Sequence, residues 1–135
     1  MQKLKLLYVD DEPANLINFK ISFKSRYEVL TADSAQEGLE IFQADPEIAL
    51  VIADQRMPDM SGIAMLGAMR KINPDVVRIV LTGYTEVTDL IDAINKGEIF
   101  QYVIKPWDEN EFLQILSQAE ECYLLTREHN RTSST

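Results

Sequence analysis

A chain of 135 residues with 22 acids against 13 bases, a formal charge of −9, is the length of one domain and large enough for one real core. Its apolar and charged fractions, 46% and 26%, are those of a water-soluble globular protein, with no apolar run near the ~18 residues that span a bilayer, no secretory pattern at the start and a lone cysteine, Cys122; the cytoplasm is the expected compartment. The acid excess argues against direct nucleic-acid binding and leaves room for a clustered cation site.

In chain order, Leu4 to Val9 (LKLLYV) reads as an apolar strand ending in Asp10, Asp11 and Glu12. Pro13 then suits a first helical position, and the segment to about Lys24 carries apolar residues at helical spacing: Ala14, Ile17 and Ile21, with Leu16, Phe19 and Phe23 alongside. Tyr27 to Thr31 predicts a short strand. Ser34 and Glu37 form the S-x-x-E of a capping box, opening a helix through about Gln43 that buries Ala35, Leu39 and Phe42. Ile48 to Ala53 is a β-branched, fully apolar strand that stops at Asp54. A polar turn, QRMPDMS, leads to a helix from Gly62 to about Ile72 with Ile63, Leu66 and Met65 or Met69 inward. Val76 to Leu81 predicts the fourth strand, ending at Thr82 and Gly83. Val87, Leu90, Ile91 and Ile94 mark an amphipathic helix that Gly97 stops. Phe100 to Ile104 predicts the fifth strand, ending at Lys105-Pro106-Trp107, and Asp108 caps a last helix that buries Phe112, Leu116, Ala119 and Tyr123. Leu124 and Leu125 widen its apolar face and point to a continuing helix or a dimer seam. From Thr126 the pattern fades, and residues 126–135 are expected to be a frayed tail or the start of a linker.

Five β-α repeats with near-continuous apolar strands mean an α/β fold, a doubly wound parallel sheet with helices on both faces and right-handed crossovers. All parallel strands point their C-terminal ends one way, so Asp10, Asp11, Asp54, Thr82 and Lys105 are expected at one edge, where such sheets bind ligands. Three carboxylates together repel unless a cation sits among them. A hard dication such as Mg²⁺ suits oxygen ligands, and the motifs contain neither His nor Cys for a softer metal. With Lys105 as a mobile point charge and Thr82 as a hydroxyl donor, the set reads as a phosphoryl-transfer site in which Asp54 is a covalent nucleophile.

The chain resembles the response-regulator receiver domain of two-component signalling over residues 4–125. VDDE at Val9–Glu12 resembles the family's acid pair, DQRMPDMSG from Asp54 its phosphoacceptor signature, LTG at Leu81–Gly83 its switch motif, and YVIKPW at Tyr102–Trp107 the lysine motif of a subset ending in KPW. The resemblance implies a flavodoxin-like fold of strand order 2-1-3-4-5, with residues 1–125 as the receiver. It implies phosphorylation of Asp54 by a sensor histidine kinase or histidine phosphotransfer protein, with no turnover of another substrate. Mg²⁺ (or Mn²⁺ in its place) would be held by Asp10, Asp11, Asp54 and the Arg56 backbone carbonyl. Lys105 would pair with the phosphoryl group, Pro106 would follow a cis peptide bond, and Gly83 would leave room above the site. Arg56 and Tyr84, both bulky, would lengthen the life of the phosphate.

Thr82 would then move toward the phosphate and Tyr102 would follow, re-shaping the face of the fourth helix, fifth strand and fifth helix. That face would act on a C-terminal output domain or a partner, with self-association through it as a further expectation. GEIFQY, from Gly97, is one residue longer than the family spacing, which bears on Tyr102. Three other readings compete: an aspartate-nucleophile phosphatase (disfavoured because Arg56 stands where a second acid belongs), a flavodoxin-type cofactor carrier, and a phosphate-independent interaction module of this fold.

Overall fold

The computed structural model describes residues 3–83 and 87–133. Its elements alternate without exception: β1 (Lys5–Val9), α1 (Pro13–Phe23), β2 (Glu28–Ala32), α2 (Ala35–Ala44), β3 (Ile48–Asp54), α3 (Gly62–Ile72), β4 (Val77–Thr82), α4 (Val87–Asn95), β5 (Gln101–Ile104) and α5 (Glu109–Ser133). The strands form one parallel sheet of order β2-β1-β3-β4-β5. The strand-helix alternation predicts the doubly wound parallel sheet, and its order is the flavodoxin-like one that the resemblance implies.

Two apolar layers cover the sheet. Beneath α1 and α5 lie Tyr8, Phe19, Phe23, Phe112 and Leu116, with Trp107 closing the cluster edge-on against Phe112 at 5.2 Å between ring centroids. Phe19 stacks on Tyr8 at 4.3 Å, so this layer reaches directly to the strand that carries the acid pair. On the other face Val9, Val51, Ala53, Met65, Leu66 and Leu90 pack together. β3 is buried along its whole length, which is why its sequence is apolar without alternation.

Local signals hold where their chemistry is specific. Ser34 Oγ accepts the Glu37 N–H at 3.1 Å and Asp108 accepts that of Glu111 at 3.0 Å. Gly97, at φ 75°, ends α4 with the Glu98 N–H on the Ala93 carbonyl and its own on Ile94, a Schellman closure. Phe112, Leu116, Ala119 and Tyr123 are all buried.

The structure orients α1 and corrects the expected end of α5. The Ala14, Ile17 and Ile21 stripe of α1 faces solvent, with Ile17 60% and Ile21 62% exposed, because the larger Phe19 and Phe23 claim the inward face. α5 continues to Ser133 instead of losing its form at Thr126. TREHNRTS contains neither Gly nor Pro, and Arg127 returns to the preceding turn by donating to the Tyr123 hydroxyl at 2.9 Å. α4 buries Leu90 but leaves Ile91 half exposed.

Between Gly97 and Gln101 the chain is held by Arg78. Arg78 is 8% exposed and its guanidinium donates to the carbonyls of Val76 (2.9 Å) and Glu98 (3.0 Å). Burial pushes its pKa below the ordinary arginine value, with nearby Arg70 adding to the effect.

Candidate functional site

Strand register brings the chemistry together. Val9 pairs with Ala53, so Asp10 and Asp54 leave the sheet side by side. Asp54 pairs with Leu81, which puts Thr82 one residue further out; Thr82 pairs with Ile104, which puts Lys105 one further again. Three bonds carry the ladder past the strand ends: Asp10 N–H to Ala32 O, Gln55 N–H to Leu81 O and Lys105 N–H to Thr82 O, at 3.1, 2.8 and 2.8 Å. The staircase therefore converges on Asp54.

Asp10, Asp11 and Asp54 each offer a carboxylate oxygen, all within 4.8 Å of one another. Oxygens gathered this closely would serve as ligands of one Mg²⁺, which takes hard oxygen donors. Hard oxygen donors, negative charge and burial of two of the three suit that ion. Asp54 is 4% exposed, and the Lys105 ammonium donates to its Oδ1 at 2.6 Å. Burial raises the Asp54 pKa above the ordinary carboxylate value; Lys105 opposes that shift, while the charges of Asp10 and Asp11 reinforce it.

Asp10 is held rather than loose. Its Oδ2 accepts from the Tyr8 hydroxyl at 2.8 Å and Asn15 Nδ2 at 3.1 Å, and its Oδ1 from the Glu12 N–H at 3.0 Å. Burial, and then the Asp10 charge, raise the Tyr8 hydroxyl pKa well above that of a free tyrosine, so it stays a donor. Neither Tyr8 nor Asn15 belongs to the four motifs. Tyr8 could have been found from strand periodicity: it stands two residues before Asp10, on the same side of β1.

The turn after Asp54 is fastened at both ends. Gln55 caps α3 by accepting the Ile63 N–H on its side chain at 3.0 Å and the Gly62 N–H on its carbonyl at 3.0 Å. A Cβ on Gly62 would lie 2.6 Å from the Asp54 carbonyl oxygen, so the glycine is required by close backbone approach. Asp59 accepts the Gln36 and Ala35 N–H groups at 3.0 and 3.3 Å, tying the turn to the start of α2.

Thr82 is buried at the rim, and its hydroxyl donates to the Gly83 carbonyl at 3.3 Å. A Cβ on Gly83 would meet nothing within 4 Å. The Lys105-Pro106 bond is cis. Arg56 is exposed, and Tyr102 is partly buried on the Leu90 side of the sheet, paired with Val80 and so two residues behind Thr82 on the same face. Tyr84 lies outside the described residues.

Comparison with known proteins decides the family. The model of the response regulator receiver domain matches residues 6–117. This chain belongs to that family. The receiver is 33% identical over 93% of its length to the hydrogenase transcriptional regulatory protein HoxA of Cupriavidus necator, covering 26% of that protein. It spans about a quarter of the first curated relatives it matches. Among solved structures, the signal receiver domain of an HD domain-containing protein from Pseudomonas fluorescens Pf-5 superposes with a TM-score of 0.86 at 32% identity, covering 95% of this chain and 94% of that one. The response regulator TrrA of Thermotoga maritima, solved with Mg²⁺-BeF, gives 0.76 at 29% identity, covering 88% and 99%. The receiver is therefore a module of two-component signalling, and the acid cluster matches the chemistry of a metal that TrrA holds. No helix among the described residues is long and apolar enough to cross a membrane.

Proposed function

We propose that Asp54 is the phosphoacceptor. The observation that carries this is the convergence of three carboxylate oxygens within 4.8 Å with the Lys105 ammonium 2.6 Å from Asp54. The free oxygen of Asp54 attacks the phosphorus of a phosphohistidine on a kinase or phosphotransfer partner. The O–P bond forms as the P–N bond breaks, and the imidazole leaves with the bonding pair and is protonated by solvent. Asp10, Asp11, Asp54 and the Arg56 carbonyl would hold the metal, with Asp10 oriented by Tyr8 and Asn15. Mg²⁺, or Mn²⁺ in its place, supplies charge neutralisation on the phosphoryl oxygens when bound. Lys105 transfers its hydrogen bond from Asp54 to a phosphoryl oxygen, and Gly83 leaves that oxygen space. The reaction is the receiver's own modification and later hydrolysis. Arg56 and Tyr84 limit the approach of water, and replacing both with Ala shortens the half-life of the phosphate.

Phosphorylation adds ~1.5 to 2 negative charges, toward which the Thr82 hydroxyl turns. Tyr102 follows into the vacated space, and the α4-β5-α5 face changes shape. Ile91 and Ile104 already present apolar surface there, suited to a homodimer or to an output domain. Residues 1–125 act as the receiver and 126–135 lead toward such a C-terminal domain, as the greater length of the relatives supports. With an excess of nine negative charges this chain does not grip nucleic acid itself, and its place of work is the cytoplasm.

The test is incorporation of phosphate from a small acyl-phosphate donor, with and without Mg²⁺. Stoichiometric labelling that needs the metal and vanishes in Asp54→Ala is the expected result. Labelling that survives Asp54→Ala sinks the assignment.

A further inference from the structure

The turn carrying residues 55–61 reaches across to a helix that plays no part in the four sequence motifs. Asp59 lies 24 positions beyond Ala35, yet its two carboxylate oxygens accept the first N–H groups of α2, Ala35 at 3.3 Å and Gln36 at 3.0 Å. Ser34 caps α2 through the Glu37 N–H alone, so Asp59 serves two further N–H groups that a helix start leaves unpaired, and it does so from a distant turn. What it adds is a tether. The turn is anchored at its beginning by Gln55, to α3 through its side chain and to β4 through its N–H, and at its end by Ser61, whose Oγ accepts the Ala64 N–H; between them, just beyond Pro58, Asp59 ties it to α2. A charged acceptor at a helix N-terminus makes a strong, directional pair of bonds.

We propose that Asp59 is a positioning residue: by clamping the 55–61 turn to α2 it fixes the backbone that leaves Asp54, including the carbonyl at Arg56. For its metal readout the proposal rests on the phosphoacceptor reading above; for its backbone readout it does not. Groups that orient a metal's ligands without touching the metal commonly change its affinity by about 10- to 100-fold when lost.

Three variants separate a clamp from a mere helix cap. Asp59→Ala removes both bonds to α2, Ser34→Ala removes the other cap on the same helix without touching the turn, and Asp59→Asn keeps an acceptor. Amide hydrogen exchange is followed for residues 55–61 in metal-free protein, and Mg²⁺ affinity by calorimetry. The expected result is faster exchange in the turn and about tenfold weaker Mg²⁺ binding for Asp59→Ala, neither change for Ser34→Ala, and partial recovery in Asp59→Asn. If Asp59→Ala and Ser34→Ala behave alike in the turn, Asp59 is only a cap and the inference is overturned. If the wild-type protein binds no Mg²⁺ while the turn still loosens in Asp59→Ala alone, the clamp stands and the phosphoacceptor reading fails instead.

Discussion

The Lys105 ammonium sits 2.6 Å from Asp54 Oδ1, bridging the ends of two strands that have β4 between them. A monovalent cation thus already neutralises part of the site that a divalent one would enter. Replacing Lys105 with Met removes that competitor, so Mg²⁺ binds more tightly, by about tenfold or ~1.4 kcal/mol. Phosphate incorporation nevertheless falls by at least about tenfold, because one charge-assisted contact to the phosphoryl group is gone. Calorimetry and a labelling time course read the two effects separately. A joint fall in affinity and rate would mean that Lys105 only holds the fold together.

Burial and the neighbouring charges of Asp10 and Asp11 make the Asp54 carboxylate costly in the metal-free protein, as its raised pKa shows. Asp54→Asn should therefore raise the melting temperature in chelator, by roughly 3 to 6 °C if the relief is ~1 kcal/mol in a domain of this length. Added Mg²⁺ reverses the order, since the wild type gains binding free energy that the variant lacks in part. Scans with chelator and with saturating Mg²⁺ test both halves. An Asn variant less stable in chelator would show that the Lys105 bond outweighs the repulsion.

Two glycines five residues apart on one helix, Gly62 and Gly67, should respond oppositely to the same change. At Gly62 an added Cβ lies 2.6 Å from the Asp54 carbonyl oxygen and 3.1 Å from Gln55 Cα, both backbone, so the turn must move. Gly62→Ala is expected to cost about 1 to 3 kcal/mol and to impair labelling. At Gly67, in the interior of α3, a Cβ meets nothing within 4 Å. Gly67→Ala gains about 0.5 to 1 kcal/mol and leaves labelling alone. Urea unfolding of the two variants decides; equal effects would contradict the close approach at Gly62.

How much of this was legible in the sequence depends on the kind of signal. Strand ends were readable because a β-branched run that stops at a charged residue has few alternatives, and the parallel topology then forces Asp10, Asp54, Thr82 and Lys105 to one edge. α1 was harder: PANLINFKISF offers apolar residues on several faces, and periodicity alone does not say that Phe19 and Phe23 outcompete Ile17 and Ile21. The bonds of Tyr8 and Asn15 to Asp10, and of Asp59 to α2, depend on tertiary placement that no local pattern encodes. The burial of Arg78 is of the same kind, since the four backbone carbonyls that receive its guanidinium come from two separate segments of the chain.

At the opposite end of the sheet, Lys5 donates to Asp45 at 2.9 Å, with Glu47 and Glu28 at 3.6 and 3.7 Å. That bond holds the Asp45 carboxyl below its ordinary pKa of 3.8. A folded pKa below the unfolded one means that ionised Asp45 stabilises the fold above about that pH and loses its contribution as pH falls through the depressed value. Asp45→Asn should lie slightly below the wild type in melting temperature at neutral pH, with the gap narrowing in high salt and closing in acid. A gap that persists at low pH would assign the effect to Asp45 as a turn acceptor for the Glu47 N–H.

Ile17 and Ile21, 60% and 62% exposed, stand one turn apart on α1, with exposed Ala14 extending the stripe toward the acid pair. Covering apolar surface is worth roughly 25 cal/mol per Å², so under the proposed function a protein donor that rested on this stripe would gain from it. A small acyl-phosphate donor needs no such footing. Changing both residues to Ser should therefore slow transfer from a phosphohistidine protein by about tenfold or more while leaving labelling by the small donor unchanged. Stability should shift by no more than about 0.5 kcal/mol per site, since neither side chain fills the core. Equal slowing with both donors would place the effect inside the site rather than at its approach, and unchanged transfer from the protein donor would show that the partner docks elsewhere.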